Sequence, residues 1–310
     1  MKCRKCGQDN PPEAGFCSKC GTPLAAISLE PGVGSAYSNG WQQLWKHFWE
    51  LLVSGIIAVV LTAIVGIIIS LIFFNYIQDE FFIPTGVWSF DYFETFPWGF
   101  QAVNIVVQVF YYTPIAFGLA YVFMTAARGD KVELGNLFSG FRNYGNVILV
   151  GILYLIVFGG VSLLLAFLTV FSGILGIFLN IIWLIIMIIL YCKLAFVPYL
   201  LLDRKMKAVE SIQTSWVMTR GHAGKIFLIG FLAFLMFLAL AIISFIFSFL
   251  LGFFIGFFFI FIIIVFCIAA IILAMWISTA FGSLYHAVST SYQFSQPQLP
   301  APAGSVQTAT

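Results

Sequence analysis

Residues 147–192 contain no charged side chain and are almost wholly apolar. Wound as one α-helix, this run would be more than twice as long as the ~30 Å hydrocarbon core of a bilayer. It must therefore cross, turn and cross back, and Ser172-Gly173 is the natural place for the turn. The run 226–281 meets the same limit and is expected to turn near Gly252 to Gly256. Only 8% of the chain is charged, against ~25% in a soluble domain, so a water-facing surface could not be covered. The fold class that follows is an all-α polytopic membrane protein. Counting windows of ~20 apolar residues gives six spans: 51–74, 101–127, 147–171, 174–202, 226–250 and 253–280.

The N-terminus is of another kind. Cys3, Cys6, Cys17 and Cys20 form two Cys-x-x-Cys-Gly knuckles. Two thiolates three positions apart face one metal from a tight turn, and the following glycine tolerates the left-handed backbone the turn needs. Four thiolates make a closed tetrahedral site for Zn²⁺, with no position left for water or substrate. That favours a structural metal, whose binding supplies most of the folding energy of so short a segment. Two disulfides or an iron–sulfur centre are the competing readings, and disulfides are disfavoured in a reducing compartment. Lys2, Arg4, Lys5 and Lys19 are offset by Asp9 and Glu13, which leaves little basic surface for nucleic acid.

Through CRKCG and NPPEAGFCSKCG, residues 1–24 resemble the short zinc ribbons at the start of many bacterial and archaeal membrane proteins. The resemblance implies a zinc module in which Phe16 packs on the metal site, and it implies no reaction. It also favours a prokaryotic plasma membrane.

The chain then divides into a linker at 25–40, a six-span body at 41–290 and a disordered tail at 291–310 that carries Pro297, Pro300 and Pro302. No cleaved signal is expected, because residues 1–26 lack an apolar h-region. Trp41, Leu44, Trp45, Phe48 and Trp49 share one helical face. They read either as an interfacial helix or as the start of a long first span.

Orientation comes from the basic residues. The 75–100 loop holds Asp79, Glu80, Asp91 and Glu94 and no Lys or Arg. The 128–146 loop holds Arg128, Lys131 and Arg142; the 203–225 loop holds Arg204, Lys205, Lys207, Arg220 and Lys225; Lys46 precedes span one. With six spans all of these fall on one side, so both termini are expected in the cytoplasm.

Each basic segment precedes a two-span hairpin, and Gly55, Gly151 and Gly230 take similar places in spans one, three and five. This suggests three two-helix repeats, although apolar helices resemble one another without common descent. The stretch 190–235 resembles the membrane domain attached to some glycerophosphodiester phosphodiesterases, through Pro198, Asp203, Ser215, Gly221 and Gly224. The chain has no phosphodiesterase domain, so the resemblance implies membrane architecture and no enzymatic activity.

Two features could carry chemistry inside the membrane. Gln101, Asn104, Gln108 and Tyr111 lie on one face of span two, above Pro114, which frees a carbonyl. They read as interhelical glue or as the lining of a small polar cavity. Lys193 is the one charge well inside an apolar run, and reads as a snorkelling cation or as a functional site. Asn180 reads as glue; Cys192 and Cys267 read as packing residues. His47, His222 and His286 lack metal-ligand spacing, and no nucleotide-binding motif is present. The expected function is therefore non-enzymatic: a scaffold or envelope-associated membrane protein with a protein partner at its ribbon. The alternative is a small-solute or lipid transporter or channel.

Overall fold

A computed structural model describes residues 8–9, 11, 18–19, 29–81, 98–252 and 256–292. Six helical segments are long and apolar enough to cross a membrane: Phe48–Phe73, Gly99–Ala127, Tyr144–Thr169, Gly173–Asp203, Ala223–Phe249 and Ile263–Ser291. They form three hairpins. The first joins α2 (Phe48–Phe81) to α3 (Trp98–Val107) and α4 (Thr113–Ala127), which run on from each other through a π-helical turn at Gln108–Tyr112. Tyr111 and Tyr112 hydroxyls donate to the carbonyls of Leu61 and Thr62 across this hairpin.

A short 3₁₀ segment, Leu134–Phe138, and the single turn α5 (Ser139–Arg142) lead into the second hairpin. It comprises α6 (Tyr144–Tyr154) and α7 (Val161–Leu194). Although α7 is helical on both sides of Gly173, the chain reverses there. The Trp183 indole donates to Ser162 Oγ at 3.1 Å and the Asn180 amide to Thr169 Oγ1 at 2.8 Å. In a straight helix Ser162 and Trp183 would stand about 31 Å apart. Gly173 has φ +26°, a backbone that glycine adopts without the steric cost a side chain brings. A Cβ on Gly176 would lie 2.4 Å from Thr169 Cα, so the two arms meet backbone to backbone.

Beyond this hairpin lie α8 (Val197–Asp203) and α9 (Ala208–Met218), then the third hairpin, α10 (Ala223–Gly252) and α11 (Gly256–Ser291). Residues 253–255 lie outside the described residues. The rings of Phe247 and Phe266 pair across the arms at 6.2 Å. A helix precedes each hairpin: α1 (Val33–Lys46), α5 and α9. Gly55, Gly151 and Gly230 share no packing role, however. Gly151 faces Thr113 and Val109, whereas the other two face open space.

Burial is concentrated at the end that carries the basic loops. Leu44, Val122, Leu200, Ile226, Leu284 and Tyr285 are fully enclosed there. At the opposite end, Ile174 is 88% exposed and Phe249 74%. Lipid tails are as apolar as these side chains and give no reason to bury them. Water at the basic end does. Exposed Trp41, Trp45, Phe141, Tyr144 and Trp216 mark the level where one environment gives way to the other.

Helix α1 departs from the expected linker. Residues 33–40 form its first two turns and are wedged between α4, α10 and α11. The Tyr37 hydroxyl donates to Ile229 O, the Trp276 indole to Tyr37 O, and the Asn39 amide to Ala127 O and Ser283 Oγ. A Cβ on Gly40 would lie 2.9 Å from Ala280 N, so small residues let the two backbones approach. The helix ends at His47, where ψ swings to 27°, and α2 starts at once. The buried face is Ala36, Tyr37, Asn39, Gly40, Gln43 and Leu44. Of the aromatic face expected from sequence, Leu44 is buried while Trp41, Trp45 and Trp49 point outward.

Candidate functional site: a buried ion pair at the basic end

Arg128 caps the C-terminal end of α4, and Asp203 is the last residue of α8. Their side chains meet as a bidentate pair, with Nη1 to Oδ1 at 2.7 Å and Nη2 to Oδ2 at 2.5 Å. They are only 17% and 11% exposed. From α11, the Tyr285 hydroxyl donates to Asp203 Oδ2 at 3.1 Å. The Tyr285 ring stacks on Tyr199 at 4.9 Å, meets Phe196 edge-on and lies 5.9 Å from the guanidinium. Arg204 Nε approaches the same carboxylate at 3.5 Å. Burial works against the Arg128 charge, but the Asp203 carboxylate outweighs it and holds the guanidinium above its ordinary pKa.

The cluster draws one side chain from each hairpin or its adjoining helix. Both carboxylate oxygens are engaged, so the arrangement ties three helices together. A fork-to-fork pair of this kind is directional, and breaking it strands a buried charge. Sequence reasoning placed Arg128 in a basic loop and Asp203 in a Pro-to-Asp pattern but did not join them. With the partners 75 positions apart, no local spacing could have done so.

A second polar line runs along α1. Asn39, Gln43 and His47 recur every four residues and are buried. Asn39 is satisfied by Ala127 and Ser283. Gln43 Oε1 and His47 Nε2 are enclosed with no hydrogen-bond partner among the described residues. Burial, then the Lys46 charge, pushes the His47 pKa below its usual value.

The residues proposed for a membrane polar site fall into two separate settings. Gln101 and Gln108 are exposed on their span, and Asn104 turns its amide back to Phe100 O at 2.8 Å. Lys193 sits on another hairpin, its Nζ 5.7 Å from the Trp216 ring centroid, and its carbonyl accepts from Ser215 Oγ at 2.8 Å. Pro114 frees the Phe110 carbonyl, and the Tyr144 hydroxyl occupies it at 2.9 Å. Cys192 is buried and Cys267 exposed, both as free thiols.

Cys3, Cys6, Cys17 and Cys20 lie outside the described residues, as does most of the 291–310 tail. Between the second pair of cysteines, Ser18 and Lys19 form an exposed turn, the local geometry a Cys-x-x-Cys knuckle requires. The donor set, four thiolates and no carboxylate, suits a soft-ligand ion such as Zn²⁺.

Comparison with protein families finds a match to the zinc-ribbon domain over residues 2–24. No curated protein matches the chain, and no solved structure matches it. The likeness of the body to the phosphodiesterase-associated membrane domain therefore finds no support in these comparisons. The chain is a membrane-spanning helical protein that carries an N-terminal zinc ribbon.

Proposed function

We propose that this protein is a non-enzymatic membrane anchor that presents a structural Zn²⁺ ribbon to a protein partner in the cytoplasm. The observation that carries this reading is the fixing of α1. The ribbon match ends at residue 24, and nine residues later α1 begins, held by Tyr37 and Asn39 to α10, α4 and α11. A metal module on so short a tether stays close to the basic face of the body. Cys3, Cys6, Cys17 and Cys20 would hold the ion and close its coordination sphere, which favours a docking role over catalysis. The Arg128–Asp203–Tyr285 cluster suits a rigid base in the same way. The excess of Lys and Arg in its loops supports a cytoplasmic placing of that face, and the ribbon's resemblance favours a prokaryotic plasma membrane.

Gentle solubilisation and co-purification test the proposal, with wild type compared against Cys17→Ser/Cys20→Ser. A defined partner lost from the variant, while the body keeps its melting temperature, supports the anchor reading. An identical partner set in both contradicts it. The second reading, a small-solute or lipid path, rests on the polar amides that Gln101 and Gln108 carry within an apolar span. Flux that depends on Gln108→Leu would move the assignment there.

A further inference from the structure

We propose that the outward face of α9, with the loop before it, is a binding surface for anionic phospholipid headgroups. The helix turns Ala208, Ser211, Ser215 and Met218 into the body. Its other side exposes Val209, Trp216 and Val217 beside Glu210 and Gln213, apolar groups that a purely water-facing helix has no reason to carry. Cations stand at both ends of this face. Lys205 and Lys207 are exposed just before α9, and Arg220 is exposed just after it. Lys193 lies over Trp216 at the same end as Arg220. Between residues 204 and 225 the one acidic side chain is Glu210. The Asp203 carboxylate is already taken up by Arg128 and Tyr285, so it does little to offset the lysines.

The surface also continues into the lipid-facing wall of span four. Ile185, Ile189 and Tyr191 are exposed on α7, all within a little over two turns of Lys193. Ser215 is hydrogen-bonded to the Lys193 carbonyl, so α9 abuts the end of that span. The eleven residues of α9 extend about 16 Å, enough for apolar side chains to meet acyl carbons while cations at either end meet phosphates. Charge complementarity and continuity with the span both point to membrane lipid as the occupant.

The test uses the purified full-length protein in mixed micelles of phosphatidylglycerol and phosphatidylcholine, with retained lipid read by native mass spectrometry. Wild type is expected to keep phosphatidylglycerol preferentially. Lys205→Gln/Lys207→Gln should lower that retention about tenfold, with an unchanged melting temperature showing that the fold is intact. Lys131→Gln, in another basic loop, should leave retention unaltered. Equal retention of phosphatidylglycerol by wild type and the double variant overturns the proposal. So does equal retention of the two lipids by wild type, or a double variant that loses a co-purifying protein and keeps its lipid.

Discussion

The hydroxyl of Tyr144 donates to the carbonyl of Phe110 at 2.9 Å. Pro114 follows four positions after Phe110 and has no N–H to offer that carbonyl. The π-helical turn at Gln108–Tyr112 absorbs the same disruption, a common accommodation in apolar helices. Thr113 Oγ1 assists by donating to Gln108 O at 2.8 Å. The start of α6 thus repairs the defect in the second span. Tyr144→Phe should destabilise the protein by about 1 kcal/mol. In a Pro114→Ala background, where an N–H is restored, the same change should cost nearly nothing. A double-mutant cycle by thermal unfolding in detergent checks this, and additive effects would refute the repair.

Arg128 and Asp203 depend on each other. Arg128→Gln leaves a buried carboxylate with one hydroxyl donor and the exposed Arg204 nearby. The expected loss is about 3–5 kcal/mol. Arg128→Met combined with Asp203→Leu removes both charges and should recover much of that loss. Chemical denaturation of the two variants distinguishes them, and a double variant as unstable as the single one counts against the pair.

Close backbone contact predicts a sharp contrast among glycines. A Cβ on Gly118 would lie 1.8 Å from Leu137 O, and one on Gly140 would lie 2.1 Å from Pro114 O. Neither carbonyl is a flexible side chain that could swing away. Gly118→Ala and Gly140→Ala should each destabilise by more than about 2 kcal/mol. Gly55→Ala meets nothing within 4 Å and, in mid-helix, should be neutral or stabilising by up to about 1 kcal/mol. Melting temperatures of the three variants suffice to check the order.

Acid should weaken the basic end through His47. Its folded-state pKa is lowered by burial and then by Lys46, and His222 is lowered by burial and then by Lys225. The unfolded value is about 6.5, so the unfolded chain takes up protons first as pH falls. The stabilisation is complete above about pH 6.5 and is lost as pH drops below it towards the folded value. Stability measured from pH 8 to pH 5.5 should decline, and His47→Gln should flatten part of that decline. A slope unchanged by His47→Gln assigns it elsewhere.

The architecture was readable because bilayer thickness and helical rise set hard limits on apolar runs. Those limits placed the turn at Gly173, and the φ of +26° there agrees. Helix α1 was less legible. Asn39 and Gly40 are the polar and small residues that composition assigns to a linker, yet they are buried because Gly40 admits Ala280 and Asn39 finds two partners. The ion pair was not legible at all, since Arg128 and Asp203 each look like a residue at the end of a span. Lys193 was conspicuous for its charge, but its setting depends on Trp216, which lies on a separate helix.

The most direct test of the proposed role is photo-crosslinking from Lys19, in the exposed turn between Cys17 and Cys20. A photoreactive residue at that position, irradiated in intact cells, should yield a small number of discrete protein adducts. Those adducts should vanish when Cys17→Ser/Cys20→Ser removes half of the metal's ligands. Adducts that persist unchanged without the metal site, or a wild-type ribbon that captures no protein, would contradict the anchor-and-ribbon account.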